Sequence, residues 1–265
     1  MQGDHWRVAA RCHVGLPALG VKPGDVCGMC GRRWDHGVSG CSLSRAAIHP
    51  SICSKGQFKG YRHDDVCDVL LEMYKAIGGT GVADHKKHMN TANTATIGSV
   101  CTLESGNRVD VVLFGAGSGG QDLAIDVSFV CAEAYPQLGF KAAIEKREKE
   151  KVKIYEQECK EANIEFHPFV LGAHGGFGQS AKALWGKLIK KATEIQGRDW
   201  RHSWTASSYS SAWLQKLSIA LAKQTAIGTL RRTALCTRQR VMGGRIGVES
   251  GVYECVATGR VGFER

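Results

Sequence analysis

The run Leu123-Ala-Ile-Asp-Val-Ser-Phe-Val130 constrains this chain most. Its length and apolar content read as a strand buried in a sheet. Asp126 sits in its middle. A carboxylate inside an apolar strand is costly unless it is paired or bound to a cation. A second apolar, β-branched run, Arg108 to Phe114, carries Asp110. The glycine turn Gly115 to Gly120 joins the two. Strands joined this way can bring both aspartates to one site. Hard carboxylate oxygens suit Mg²⁺, and a Mg²⁺ so held can activate water and stabilise a phosphate under attack. The alternative is that both aspartates lie at strand ends with access to solvent.

The rest of the chain supplies a frame. Val66, Val69, Leu70, Met73 and Ile77 recur at helical spacing and predict a helix over 63–77, ended by Gly78-Gly79. Residues 81–98 read as a loop or weak strand. A long charged helix is expected over 138–163, a third strand over 164–171 and a glycine-rich loop over 172–178. Helices follow at 180–196, 205–223 and 225–236. Residues 1–60 show little helical periodicity, and the tail from 242 reads as weakly ordered. Helix, strand, strand, helix, strand predicts a small α/β core.

In the charged helix, Lys151 and Tyr155 are spaced i, i+4 and share a face, whereas Lys153 points elsewhere. A lysine beside two carboxylates can position water or neutralise developing charge. The alternative is one solvated charge among many. Gly115-Ala-Gly-Ser-Gly-Gly120 also matches the dinucleotide-binding pattern, which requires a helix immediately afterwards. The run that follows reads as a strand, so a hairpin loop is expected instead.

The chain has 11 cysteines, an odd number. Met1 to Trp6 has no apolar core, and no apolar run is long enough for a membrane span. These features lead to an expectation of reduced thiols and a nuclear or cytoplasmic, unsecreted protein. Cys12, Cys53, Cys67, Cys101, Cys131, Cys159 and Cys236 read as small buried hydrophobes. Cys27, Cys30, His36 and Cys41 form a C-x2-C-x5-H-x4-C set, which suits tetrahedral Zn²⁺. Arg32, Arg33 and Trp34 in that loop can contact phosphate and stack on bases, or Trp34 can pack inward. His85, Lys86, Lys87 and His88 read as a solvated loop before a phosphate or metal contact.

Net charge is +10, and its placement matters more than its size. Residues 180–240 hold 12 Lys/Arg against Glu194 and Asp199, while the stretches on either side balance. A segregated basic surface favours a polyanion such as DNA or RNA. A solvated basic helix face is the alternative.

Taken together, these residues resemble a known family. The chain looks like the C-terminal portion of non-LTR retrotransposon reverse-transcriptase proteins. That portion carries a Cys-Cys-His-Cys zinc knuckle and a restriction-like endonuclease of the PD-(D/E)xK type. Gly15-Leu-Pro17 and the four zinc ligands match the entry and the knuckle. Arg62-His63-Asp64 opens the first helix, where resolvase-like nucleases place an acidic residue. Val109-Asp110 and Asp126-Val-Ser128 match the split acidic pair, with Val109 in place of the family's proline. Ser128 stands where lysine is classical, and Lys151-Val-Lys-Ile-Tyr155 resembles K-x-x-x-Y, with the lysine moved to the helix. Phe166-His-Pro-Phe169 with Gly175-Gly-Phe-Gly178 matches the next strand and loop, and Trp213 to Arg232 the basic C-terminal helices.

The resemblance implies a zinc-knuckle region over 1–58 and a mixed-sheet, restriction-endonuclease-like core over 59–180. A basic helical segment over 181–240 and a tail over 241–265 follow. It implies a Mg²⁺-dependent DNA endonuclease. Asp110 and Asp126 hold the metal, Asp64 completes the site, Lys151 assists the water and Tyr155 orients it or contacts phosphate. It further implies a reverse-transcriptase partner or a parent polyprotein. The competing expectation is a catalytically inactive, zinc-dependent nucleic-acid-binding relic of such a protein.

Overall fold

The computed structural model describes residues 3–13, 58–85, 100–131, 137–173, 175–196 and 206–241. In chain order the elements are α1 (Gly3–His13), α2 (Phe58–Lys75), β1 (Thr80–Ala83), β2 (Val111–Phe114), β3 (Leu123–Val130), α3 (Gly139–Glu161), β4 (Glu165–Gly172), α4 (Gln179–Gln196) and α5 (Tyr209–Val241). The protein is mixed α/β. Its four strands form one sheet in the order β1-β2-β3-β4. The first three are antiparallel neighbours, and β4 runs parallel to β3 after the α3 crossover. The zinc ligand set Cys27, Cys30, His36 and Cys41 lies outside the described residues, as do Lys86, Lys87, His88 and the tail.

Alternation along the strands sorts the two faces of the sheet. Val111, Leu113, Leu123, Ile125, Val127, Phe169 and Leu171 pack in the main core with residues of α2, α4 and α5. Val112, Ala124 and Phe166, one residue out of phase, pack with Tyr155 and Cys159 of α3. The sheet is therefore covered on both faces. Cys67, Cys101 and Cys159 are buried, and Cys131 is half-buried.

Local chemistry sets the element ends. Gly78 takes φ +82° just past α2, the left-handed conformation that glycine adopts without steric cost. Asn163 does the same after α3 at φ +56°, and the Ile164 N–H returns to Cys159 O at 2.8 Å. Helix α5 opens on a reciprocal cap. Ser211 N–H donates to Ser208 Oγ at 3.1 Å, and Ser208 N–H donates to Ser211 Oγ at 3.0 Å.

Two expectations need correction. Gly3–His13 is a helix within a stretch expected to be irregular. It packs Val8 and Ala9 against Ala222, Ala226 and Leu230 of α5. Of the loop or weak strand expected over 81–98, the strand alternative holds at the start, where Thr80–Ala83 pairs with β2, and residues 86–98 lie outside the described residues. The two helices expected over 205–236 are one helix, α5. Polar Gln224 does not break it, because its side chain is buried and donates to Asp65 Oδ2 at 2.7 Å.

Candidate active site

One residue outward from the paired Val111 and Ile125 stand Asp110 and Asp126. Asp110 sits in a bend just before β2, and its N–H donates to Ile125 O at 3.0 Å. Asp126 lies mid-strand with 3% exposure. It shares the phase of Ala124, so its side chain projects toward α3. For Asp126 the solvated strand-end alternative therefore falls.

The α3 helix answers that buried charge. Lys151 Nζ donates to Asp126 Oδ1 at 2.8 Å, with the lysine side chain only 13% exposed. Ser128 Oγ donates to Asp126 Oδ2 at 3.2 Å. Tyr155, one turn beyond Lys151, has its ring centroid 5.4 Å from the ammonium. Lys153 is exposed, as its spacing predicts.

The electrostatics follow from burial and like charge. Asp126 is raised above the usual carboxylate range by burial first and by the charge of Asp110 second, against the pull of Lys151 and Ser128. Burial, then the charge of Asp126, pushes Tyr155 up to about 12. The phenol therefore keeps its proton at neutral pH.

Helix α2 adds a residue that sequence reasoning did not single out. His63 Nε2 lies 3.0 Å from Asp110 Oδ2, and its Nδ1 lies 3.2 Å from Asp64 Oδ1. Burial alone would lower His63. The hydrogen bond to Asp110, with the nearby Cys67 thiol, overrides burial and holds the ring above its ordinary range. Asp64 thus reaches the site through His63. The adjacency of His63 to Asp64 is visible in the sequence, but nothing in the spacing ties either residue to Asp110.

A divalent cation suits this donor set. Two carboxylates meet at adjacent positions of neighbouring strands, where like charges repel, and the charge of Asp110 helps to raise Asp126. Mg²⁺ is typically held by one or two carboxylates plus water. Among the described residues, no group of three or more His, Cys, Asp or Glu forms a candidate metal site.

The glycine loop has a different role from the dinucleotide pattern it matches. Residues 123–130 form β3, not a helix, so a dinucleotide fold does not apply here. The loop is instead fastened to its surroundings. Gly115 N–H donates to Asp122 Oδ1 at 2.9 Å, and Lys191 Nζ donates to Gly115 O at 2.7 Å. Ser118 N–H donates to Glu165 Oε2 at 2.5 Å, and Lys187 Nζ donates to Ser118 Oγ at 3.0 Å. His167 Nε2 lies 2.8 Å from Glu165 Oε1, and Lys187 bonds that same oxygen.

No protein-family model matches the chain, and no curated protein matches it. Among the described residues, no helix is long and apolar enough to cross a membrane.

Proposed function

We propose that this protein is a Mg²⁺-dependent endonuclease that nicks DNA. The observation that carries the reading is the Lys151–Asp126 contact at 2.8 Å beside Asp110. Two carboxylates and a lysine converge from a hairpin and a crossover helix, over a mixed sheet with helices on both faces. That arrangement supports the restriction-like nuclease reading.

Asp110 and Asp126 would hold the ion. When bound, Mg²⁺ supplies positive charge near the attacked phosphate and makes its bound water more acidic. The chain's own groups do the rest. Lys151 offsets negative charge developing on the phosphate, from a position already fixed by Asp126. Tyr155 remains a proton donor at neutral pH and orients water or phosphate oxygen. Helices α4 and α5 lie within the basic stretch and supply lysines for the DNA backbone. Cys27, Cys30, His36 and Cys41 are proposed, on their spacing, to hold Zn²⁺ and add a second nucleic-acid contact. The same reading extends to a reverse-transcriptase partner or parent polyprotein.

Supercoiled plasmid nicking with Mg²⁺ and with EDTA tests the proposal. The wild type is expected to nick with Mg²⁺ alone, and Asp126→Ala is expected to lose cutting while still binding DNA. Binding without cutting by the wild type would favour the inactive nucleic-acid-binding relic. RNA cleaved in place of DNA would reassign the substrate.

A further inference from the structure

Asp110 is gripped from two directions. Val127 N–H donates to its Oδ2 at 2.7 Å, and His63 Nε2 lies 3.0 Å from the same oxygen. Among the described residues both contacts fall on Oδ2, and none falls on Oδ1. The His63 ring is itself fixed at its far nitrogen. Its Nδ1 lies 3.2 Å from Asp64 Oδ1 and 3.8 Å from Cys67 Sγ, one helical turn along α2. A ring held at both nitrogens has little rotational freedom. Asp64, His63 and Asp110 therefore form a chain that runs from α2 to the mouth of β2.

We infer that His63 is a positioning residue for the metal-binding carboxylate Asp110, and that Asp64 acts through His63 rather than on the ion. This rests on the nuclease reading of the site. The physical reason is general: partners that orient a ligating carboxylate set how well it meets the ion, and their loss typically weakens metal affinity or activity about 10–100-fold. The Val127 N–H fixes one direction of the carboxylate. His63 fixes the second, from a different element, so that α2 is tied to the hairpin at the reacting end of the sheet.

Mn²⁺ binding, read by electron paramagnetic resonance on the full chain, is the measurement, with Mg²⁺ dependence of nicking beside it. His63→Ala is expected to weaken Mn²⁺ about tenfold and to raise the half-saturating Mg²⁺ in parallel. His63→Gln keeps a donor near the Nε2 position and is expected to recover most of that loss. Asp64→Ala is expected to weaken Mn²⁺ in the wild type but to add nothing in the His63→Ala background. Circular dichroism reports whether each variant folds. If His63→Ala misfolds, the Gln variant and Asp64→Ala still decide. Unchanged Mn²⁺ affinity in folded His63→Ala overturns the proposal. So does an Asp64→Ala effect of equal size in both backgrounds, since that makes Asp64 a direct ligand. Mn²⁺ binding that Asp126→Ala abolishes, with His63 variants unaffected, leaves the nuclease reading standing and removes His63 alone. A wild type that binds no Mn²⁺ removes both.

Discussion

Removing Lys151 would leave Asp126 as a buried carboxylate without its cationic partner, with only the Ser128 and Tyr155 hydroxyls as neutral side-chain donors among the described residues. Breaking a buried ion pair by deleting one partner costs about 3–5 kcal/mol, because the other charge stays out of water. Lys151→Met is therefore expected to destabilise the fold by about 3 kcal/mol at neutral pH and, on the proposed nuclease reading, to end plasmid nicking. The double variant Asp126→Asn, Lys151→Met removes both charges and is expected to recover most of that loss. Urea unfolding of the three proteins checks this. Equal stability of wild type and Lys151→Met would mean that the pair contributes nothing to folding. The same pair shows why Tyr155 is held so high: a third ionisable group shares the pocket, and burial plus Asp126 deny it a negative charge.

The Glu165 network joins three elements at once: β4, the β2–β3 loop and α4. Burial would raise Glu165. The bonds from Lys187, from the Ser118 N–H and from His167 outweigh burial and pull it down to about 2. A depressed carboxylate stabilises the folded state above its unfolded value, near 4.5. That stability is lost as the pH falls toward about 2. Glu165→Gln is accordingly expected to lower Tm at neutral pH, with the gap from wild type closing between about pH 4.5 and 2. Thermal melts across that range test it, and a pH-independent gap would contradict it. The α4 helix has a second tie: Ser180 N–H donates to Glu148 Oε1 at 2.9 Å, so a side chain of α3 caps its first turn.

Across the molecule, the basic excess of residues 180–240 divides by structure. Lys187 and Lys191 are occupied by the glycine loop, Glu165 and Tyr74. Lys182 is exposed, and Lys190 is exposed beside Glu194 at 4.0 Å. If the segment binds DNA, affinity should fall linearly with the logarithm of salt concentration. Lys182→Ala and Lys190→Ala are each expected to reduce that slope by about 1 if the lysine meets a phosphate. Lys187→Ala is expected to lower stability instead. Fluorescence anisotropy over a salt series separates the two classes, and identical slopes for all three variants would exclude this division of the lysines.

Much of the frame was legible because it depends on short-range spacing. The length and apolar content of Leu123–Val130 marked a strand with Asp126 inside it. The i, i+4 interval put Lys151 and Tyr155 together, and Gly78-Gly79 marked a helix end. Asp110 and Asp126 stood out because a charge in an apolar strand needs a partner. What tertiary structure alone decided are contacts between elements far apart in sequence. His63 on Asp110, Gln224 on Asp65, and Lys187 with Glu165 each depend on how helices dock on the sheet. No local period encodes that docking: burial of many apolar side chains at once sets it, and polar pairs then form where the packed surfaces happen to bring them within reach.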